Sequence, residues 1–121
     1  MLYEDITRRV IAAAMKVHSS LGNGFQELVY QRALAVEMPY YEREKELPIF
    51  YRDIRVGDRR VDFFVEGLIM VELKAIITLE DVHLAQAMNY LEAYNMQIGL
   101  LINFGARSLD FRRVHNNKLL K

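Results

Sequence analysis

The sequence predicts an α/β sandwich, a mixed β-sheet flanked by helices. Three observations predict it. Ile6, Val10, Ala14, Val17 and Leu21 recur at helical spacing, which makes one buried stripe on an opening helix. Segments 68–75 and 98–104 are almost wholly apolar and β-rich, as strands covered on both faces are. Between them, segment 79–94 has a helical pattern and is long enough to cross over between two parallel strands.

In chain order, the first helix spans about residues 4–20. Met15 and His18 lie beside its stripe, and His18 reads as a residue favoured near a helix C-terminus rather than as a ligand or base. Gly22-Asn23-Gly24 stops the helix by admitting left-handed backbone. A second helix, about 26–38, packs Leu28, Val29, Leu34, Ala35 and Met38 inward, and Pro39 ends it. Glu27 sits in its first turn, where the helix dipole favours a carboxylate. Tyr30 reads as core packing with its hydroxyl at the edge. Segment 44–56 turns to a strand pattern through Leu47, Ile49, Tyr51 and Ile54, although Pro48 argues against an interior place in the sheet. Gly57-Asp58 reads as the turn into a strand at 60–65. Thr78 is a fair N-cap for the helix at 79–94. That helix carries His83, Gln86 (or Ala87), Tyr90 and Tyr94 along one side and Leu84, Met88 and Leu91 along its core stripe; Asn95 closes it. A short strand at 110–114 precedes a basic tail.

At 121 residues the chain reads as one domain, 1–121. Its 52% hydrophobic and 26% charged content is that of a globular protein rather than a disordered one. No apolar run reaches the length of a membrane span, and Met1-Leu2-Tyr3-Glu4-Asp5 lacks the basic start and apolar centre of a signal peptide. Without cysteine, thiol catalysis, thiolate metal sites and disulfides are excluded, and a cytoplasmic setting is favoured. Net charge is zero, so no overall field recruits a polyanion. Local basic clusters occur at Arg8 and Arg9, at Arg52, Arg55, Arg59 and Arg60, and at Arg112, Arg113, Lys118 and Lys121. Each alone reads as a solvated face.

The stretch from Arg60 to Ala75 carries the chemistry. It reads as two strands joined near Glu66-Gly67. Glu72 and Lys74, two apart on an otherwise apolar strand, point the same way. The hairpin brings Asp62 towards the same end of the sheet. Two carboxylates and an ammonium among apolar neighbours must pair with one another or hold a cation. Such oxygens suit magnesium or manganese. A buried Asp–Lys or Glu–Lys ion pair fits the trio equally well.

With Asp62 on one strand, Glu72-Leu73-Lys74 on the next, and Gln86 and Tyr90 on the following helix, the order of elements resembles the PD-(D/E)XK nuclease superfamily and the glutamine-x-x-x-tyrosine motif of its RecB-like members. Gly24-Phe25-Gln26-Glu27-Leu28-Val29-Tyr30 is similar to the signature of the small GxxExxY proteins, as are 17–24 and 99–105. Val61 stands where the superfamily's name has proline. The resemblance covers nearly the whole chain. It implies a restriction-endonuclease-like αβββαβ core and a nuclease acting on DNA or RNA with Mg²⁺ or Mn²⁺. It implies metal ligation by Asp62, Glu72 and the Leu73 carbonyl, with Glu27 reaching the metal directly or through water. Lys74 would orient the attacking water and offset charge on the phosphate, and Gln86 and Tyr90 would hold the site or the nucleic-acid backbone. The alternative is a non-catalytic nucleic-acid- or protein-binding module that keeps the fold. Finally, Tyr40, Tyr41, Phe50, Tyr51 and Phe111 exceed what the core stripes need, so they either cover a homodimer interface or cap the sheet of a monomer.

Overall fold

Two apolar runs, Ile69–Lys74 (β3) and Ile98–Asn103 (β4), hold the middle of the protein, and of their twelve residues only Lys74 is not buried. They pair in parallel, from Ile69 opposite Ile98 to Lys74 opposite Asn103. Parallel neighbours need a crossover, and the helix Asp81–Ala93 (α3) supplies it. In this computed structural model residues 3–38 and 41–119 are described. The remaining elements are α1 (Glu4–Leu21), α2 (Glu27–Glu37), β1 (Tyr41–Tyr51), β2 (Ile54–Val65) and β5 (Asp110–His115). The sheet order is β1-β2-β3-β4-β5, with every neighbouring pair antiparallel except β3 and β4. The expected helix–helix–three strands–helix–two strands order and mixed sheet are therefore those observed.

Two clusters give three layers. Ile6, Val10, Ala14 and Val17 of α1 and Tyr30 and Leu34 of α2 pack with Phe63, Val71, Leu73, Leu100 and Ile102. On the other side Leu91 of α3 packs with Met70, Leu101 and Val114, backed by Leu84, Ala87 and Met88. Among the described residues, no helix is long and apolar enough to cross a membrane.

Several local expectations are corrected. The hairpin reverses at Arg52-Asp53, not at Gly57-Asp58. Both turn residues have left-handed φ, 49° and 64°, with Tyr51 opposite Ile54. The type I′ two-residue hairpin loop has that conformation at both positions, and aspartate tolerates it better than most residues. Gly57 and Asp58 run inside β2, opposite Ile49 and Pro48, and Pro48 is accommodated because β1 is an edge strand. In α2 the buried face is Tyr30, Gln31 and Leu34, continued by Met38, whereas Leu28 and Val29 are exposed. Leu34 and Met38 are buried as expected, while Tyr30 and Gln31 take the inward places expected of Leu28 and Val29. The N-cap of α3 is Glu80 rather than Thr78, in a capping box with His83. Tyr41 packs edge-on to Phe63, with ring centroids 5.3 Å apart, and Phe111 packs on the first cluster. Phe50 and Tyr51 stay exposed beside the hairpin turn. Pro39, Tyr40 and Lys121 lie outside the described residues.

The ends of the parallel pair are tied together. The buried Asn103 carboxamide accepts the N–H groups of Ile76 and Gly105, both at 3.0 Å, and donates to the Ile76 carbonyl at 2.9 Å. The Phe104 N–H donates to the Lys74 carbonyl at 2.8 Å. Gly105 is required by this approach, since a Cβ there would lie 2.3 Å from the Ile76 oxygen. Gly105→Ala is expected to cost roughly 1–3 kcal/mol in urea unfolding. Gly57→Ala, whose Cβ meets nothing within 4 Å, should stay within about 0.5 kcal/mol of wild type. Equal losses would remove this account of the loop.

Candidate active site

The ladder between β2 and β3 sets Phe63 opposite Val71, Phe64 opposite Met70 and Val65 opposite Ile69, and goes no further. One more step would set Asp62 opposite Glu72. There the Asp62 side chain takes over instead, with Oδ2 accepting the Leu73 N–H at 2.7 Å. A buried N–H left without an acceptor costs about 1–3 kcal/mol, so Asp62 completes the strand as well as charging the site.

Glu72 is buried beside it. Its Oε2 accepts Arg59 Nη2 at 3.0 Å, while Oε1 is buried with no partner. Burial, then the Asp62 charge, push the Glu72 pKa up to about 8 against the pull of Arg59 and Lys74. Burial also raises Asp62, opposed first by the Leu73 N–H and then by Arg59 and Lys74.

Glu27 comes to the same place from the first turn of α2, and Tyr30 explains how. Its hydroxyl donates to the Gly22 carbonyl at 2.6 Å and accepts the Phe25 N–H at 3.1 Å. Its ring stacks on Phe104, with centroids 4.7 Å apart. The loop before α2 is thereby pinned to the core, as the edge-hydroxyl reading of Tyr30 expected. Glu27 is exposed, yet its carboxyl is shielded enough that burial, followed by Asp62, raises its pKa. Four residues on and so on the same helix face, Gln31 Nε2 makes a long 3.5 Å bond to Asp62 Oδ1.

From the opposite layer, α3 closes a small cleft. Gln86 and Tyr90 line it with Arg59, Glu72, Lys74, His83 and Leu101. Lys74 is half-buried at the end of β3, and its charge lowers the pKa of all three carboxyls. His18 binds the Ala106 carbonyl through Nε2 at 2.9 Å and stands apart from the cleft, in keeping with its exclusion.

Asp62, Glu72, Glu27 and Lys74 thus act on one another electrostatically, and Gln86 and Tyr90 face Glu72 and Lys74. Among the described residues, no three acidic or histidine side chains converge into a ready-made metal cage. Two adjacent carboxylates, one with a buried oxygen left unpartnered, still fit a hard divalent ion whose remaining ligands are backbone oxygen and water. The Lys74 pairing foreseen for the ion-pair reading is not the one formed, because Glu72 pairs with Arg59. Sequence reasoning missed Arg59 and Gln31. The second had a usable signal in its spacing from Glu27; the first had none, because its partner lies thirteen positions away on another strand.

The raised carboxyls have a sign for stability. With a pKa of about 8 in the fold against an ordinary 4.5, Glu72 binds its proton more tightly when folded. Its contribution is present below about pH 4.5 and is lost as pH rises through about 8. Chemical unfolding in EDTA should show stability falling from about pH 5 to about pH 8, and Glu72→Gln should flatten much of that fall. An unchanged slope in the variant would contradict the burial argument.

A search of curated proteins returned no match to the chain. A family model described as the PD-(D/E)XK nuclease superfamily matches residues 4–114, a span that includes all seven of the residues at or near the cleft named by the resemblance. The mixed five-stranded sheet with helices on both faces agrees with the restriction-endonuclease-like fold of that superfamily. The chain belongs to the PD-(D/E)XK nuclease superfamily.

Proposed function

We propose that the protein is a divalent-metal-dependent nuclease cutting phosphodiester bonds of DNA or RNA, of the GxxExxY type that the Gly24–Tyr30 signature resembles. The observation that carries this is the juxtaposition of Asp62 and Glu72 where β2 and β3 part, with Glu72 Oε1 left unpartnered. In this reading Asp62, Glu72 and the Leu73 carbonyl would hold Mg²⁺ or Mn²⁺, with Glu27 reaching it directly or through water. Such an ion stabilises charge building on the phosphate and makes water a better nucleophile near neutral pH. Lys74, on the strand of Glu72, orients the attacking water and offsets charge on the scissile phosphate. Gln86 donates from its carboxamide to the nucleic-acid backbone, and Tyr90 walls the cleft beside it. The absence of cysteine supports a reducing, cytoplasmic setting.

A second reading, a non-catalytic nucleic-acid- or protein-binding module, draws on one observation: much of the basic surface is already paired. Arg8 binds Glu4, Arg9 binds Glu66, Arg55 binds Asp58, Arg112 binds Asp110 and Lys118 binds Glu92. Incubation with mixed DNA and RNA substrates separates the two. Cleavage should require Mg²⁺ or Mn²⁺ and fall roughly 10²-fold or more in Glu72→Ala and in Lys74→Ala. Metal-independent cleavage, or full activity in both variants, would sink the nuclease reading; binding without any cleavage would favour the module.

A homodimer is supported by exposed apolar residues on the β1–β2 hairpin: Phe50, Tyr51, Ile54 and Val56. Two copies meeting there would cover them and double the surface offered to nucleic acid. Light scattering at micromolar concentration should return twice the chain mass, falling to the chain mass in Phe50→Ser/Ile54→Ser. A monomer mass for wild type would remove the dimer.

A further inference from the structure

Arg59 is held in the cleft by two groups of different kinds. One is the Glu72 carboxylate, through Nη2 to Oε2 at 3.0 Å. The other is the face of Tyr90, whose ring centroid lies 4.6 Å from the guanidinium carbon. A ring face grips the plane of a guanidinium without using its N–H donors. One donor remains idle, since Arg59 Nε is buried without a partner. An arginine placed only to stabilise a buried carboxylate would be expected to spend its planar fork on both oxygens. Here one N–H group meets one oxygen, and the other oxygen goes without.

That oxygen pattern matters for a cation. A divalent ion at Asp62 and Glu72 draws on the carboxylate that Arg59 already neutralises, and two cations on one carboxylate repel each other. We propose that Arg59 is a built-in competitor of the divalent ion for Glu72, docked on Tyr90 so that it can leave the carboxylate without leaving the cleft. Arg59 is a positioning residue in this role. It keeps Glu72 aimed into the cleft and sets how much metal is needed to claim it. The inference rests on the metal reading of Asp62 and Glu72, and assigns Tyr90 a task distinct from substrate contact.

Titration calorimetry with Mg²⁺ on the whole chain tests it. Arg59→Gln should bind Mg²⁺ about tenfold tighter than wild type, about 1.4 kcal/mol. Arg59→Lys, which keeps the charge, should stay much closer to wild type. A merely structural arginine predicts weaker or unchanged metal binding in Arg59→Gln, and that result would overturn the proposal. Should Arg59→Gln fail to fold, Tyr90→Leu removes the platform to which Arg59 withdraws and leaves the charge; it should weaken Mg²⁺ binding several-fold, and no weakening overturns the proposal equally. If wild type, Arg59→Gln and Tyr90→Leu all give no saturable Mg²⁺ binding, the metal reading itself falls and takes this one with it. Metal binding in wild type without the shift defeats this inference alone.

Discussion

The Leu73 N–H has no strand carbonyl to meet, and Asp62 answers it with a carboxylate at 2.7 Å. The rest of the site follows from that substitution. Because a side chain closes the ladder, β2 and β3 part at the point where their register would have set Asp62 against Glu72. The carboxylate is held by main chain, so it cannot turn away from its neighbour. Glu72 is held as firmly, on a strand buried along almost its whole length. Two acids fixed side by side in apolar surroundings are unfavourable unless cations or protons intervene. Arg59 and Lys74 supply the first, and the raised pKa of Glu72 supplies the second.

The position in the sheet gives this pair its access. Glu72, Leu73 and Lys74 lie at the carboxyl end of β3, beside the carboxyl end of its parallel neighbour β4. At such ends the chain must leave the sheet, and open α/β folds place ligands there. Both helical layers are anchored close by. Tyr30 stacks on Phe104, the residue after β4, which fixes the start of α2 and hence Glu27. Asn103 binds the loop that leaves β3, which holds Lys74 beside β4. The core contacts that build the fold therefore also aim the polar groups.

How much of this was legible depended on range. Asp62, Glu72 and Lys74 could be placed from strand alternation and from the turn at Glu66-Gly67, since both are local. The crossover at α3 followed from two apolar runs with a helix between them. The N-terminal half of the inner face of α2 did not, because apolar side chains lie on several sides of that helix and long-range packing, with Tyr30 stacked on Phe104, selects one side. Gly57 misled for a related reason: glycine marks turns only on average, and here the left-handed residues are Arg52 and Asp53. Arg59 was read as part of a solvated basic run. Its bond to Glu72 and its ring contact with Tyr90 join three elements, and no local pattern encodes that.

A small domain has little apolar surface to set against a buried charge. Burying a Leu or Ile side chain contributes roughly 1.5–3 kcal/mol, and the effective penalty for an unpaired buried ion is several kcal/mol. The site lowers that penalty instead of opposing it with more core. With its pKa near 8, Glu72 keeps a proton at neutral pH for much of the time, and the repulsion with Asp62 is relieved to that extent. The same proton stands between the site and any divalent ion, because a carboxylate must be deprotonated to ligate well. Proton affinity, the arginine contact and cation affinity are thus three claims on one carboxylate. What makes the fold tolerable without a cation is also what sets the concentration at which a cation can enter.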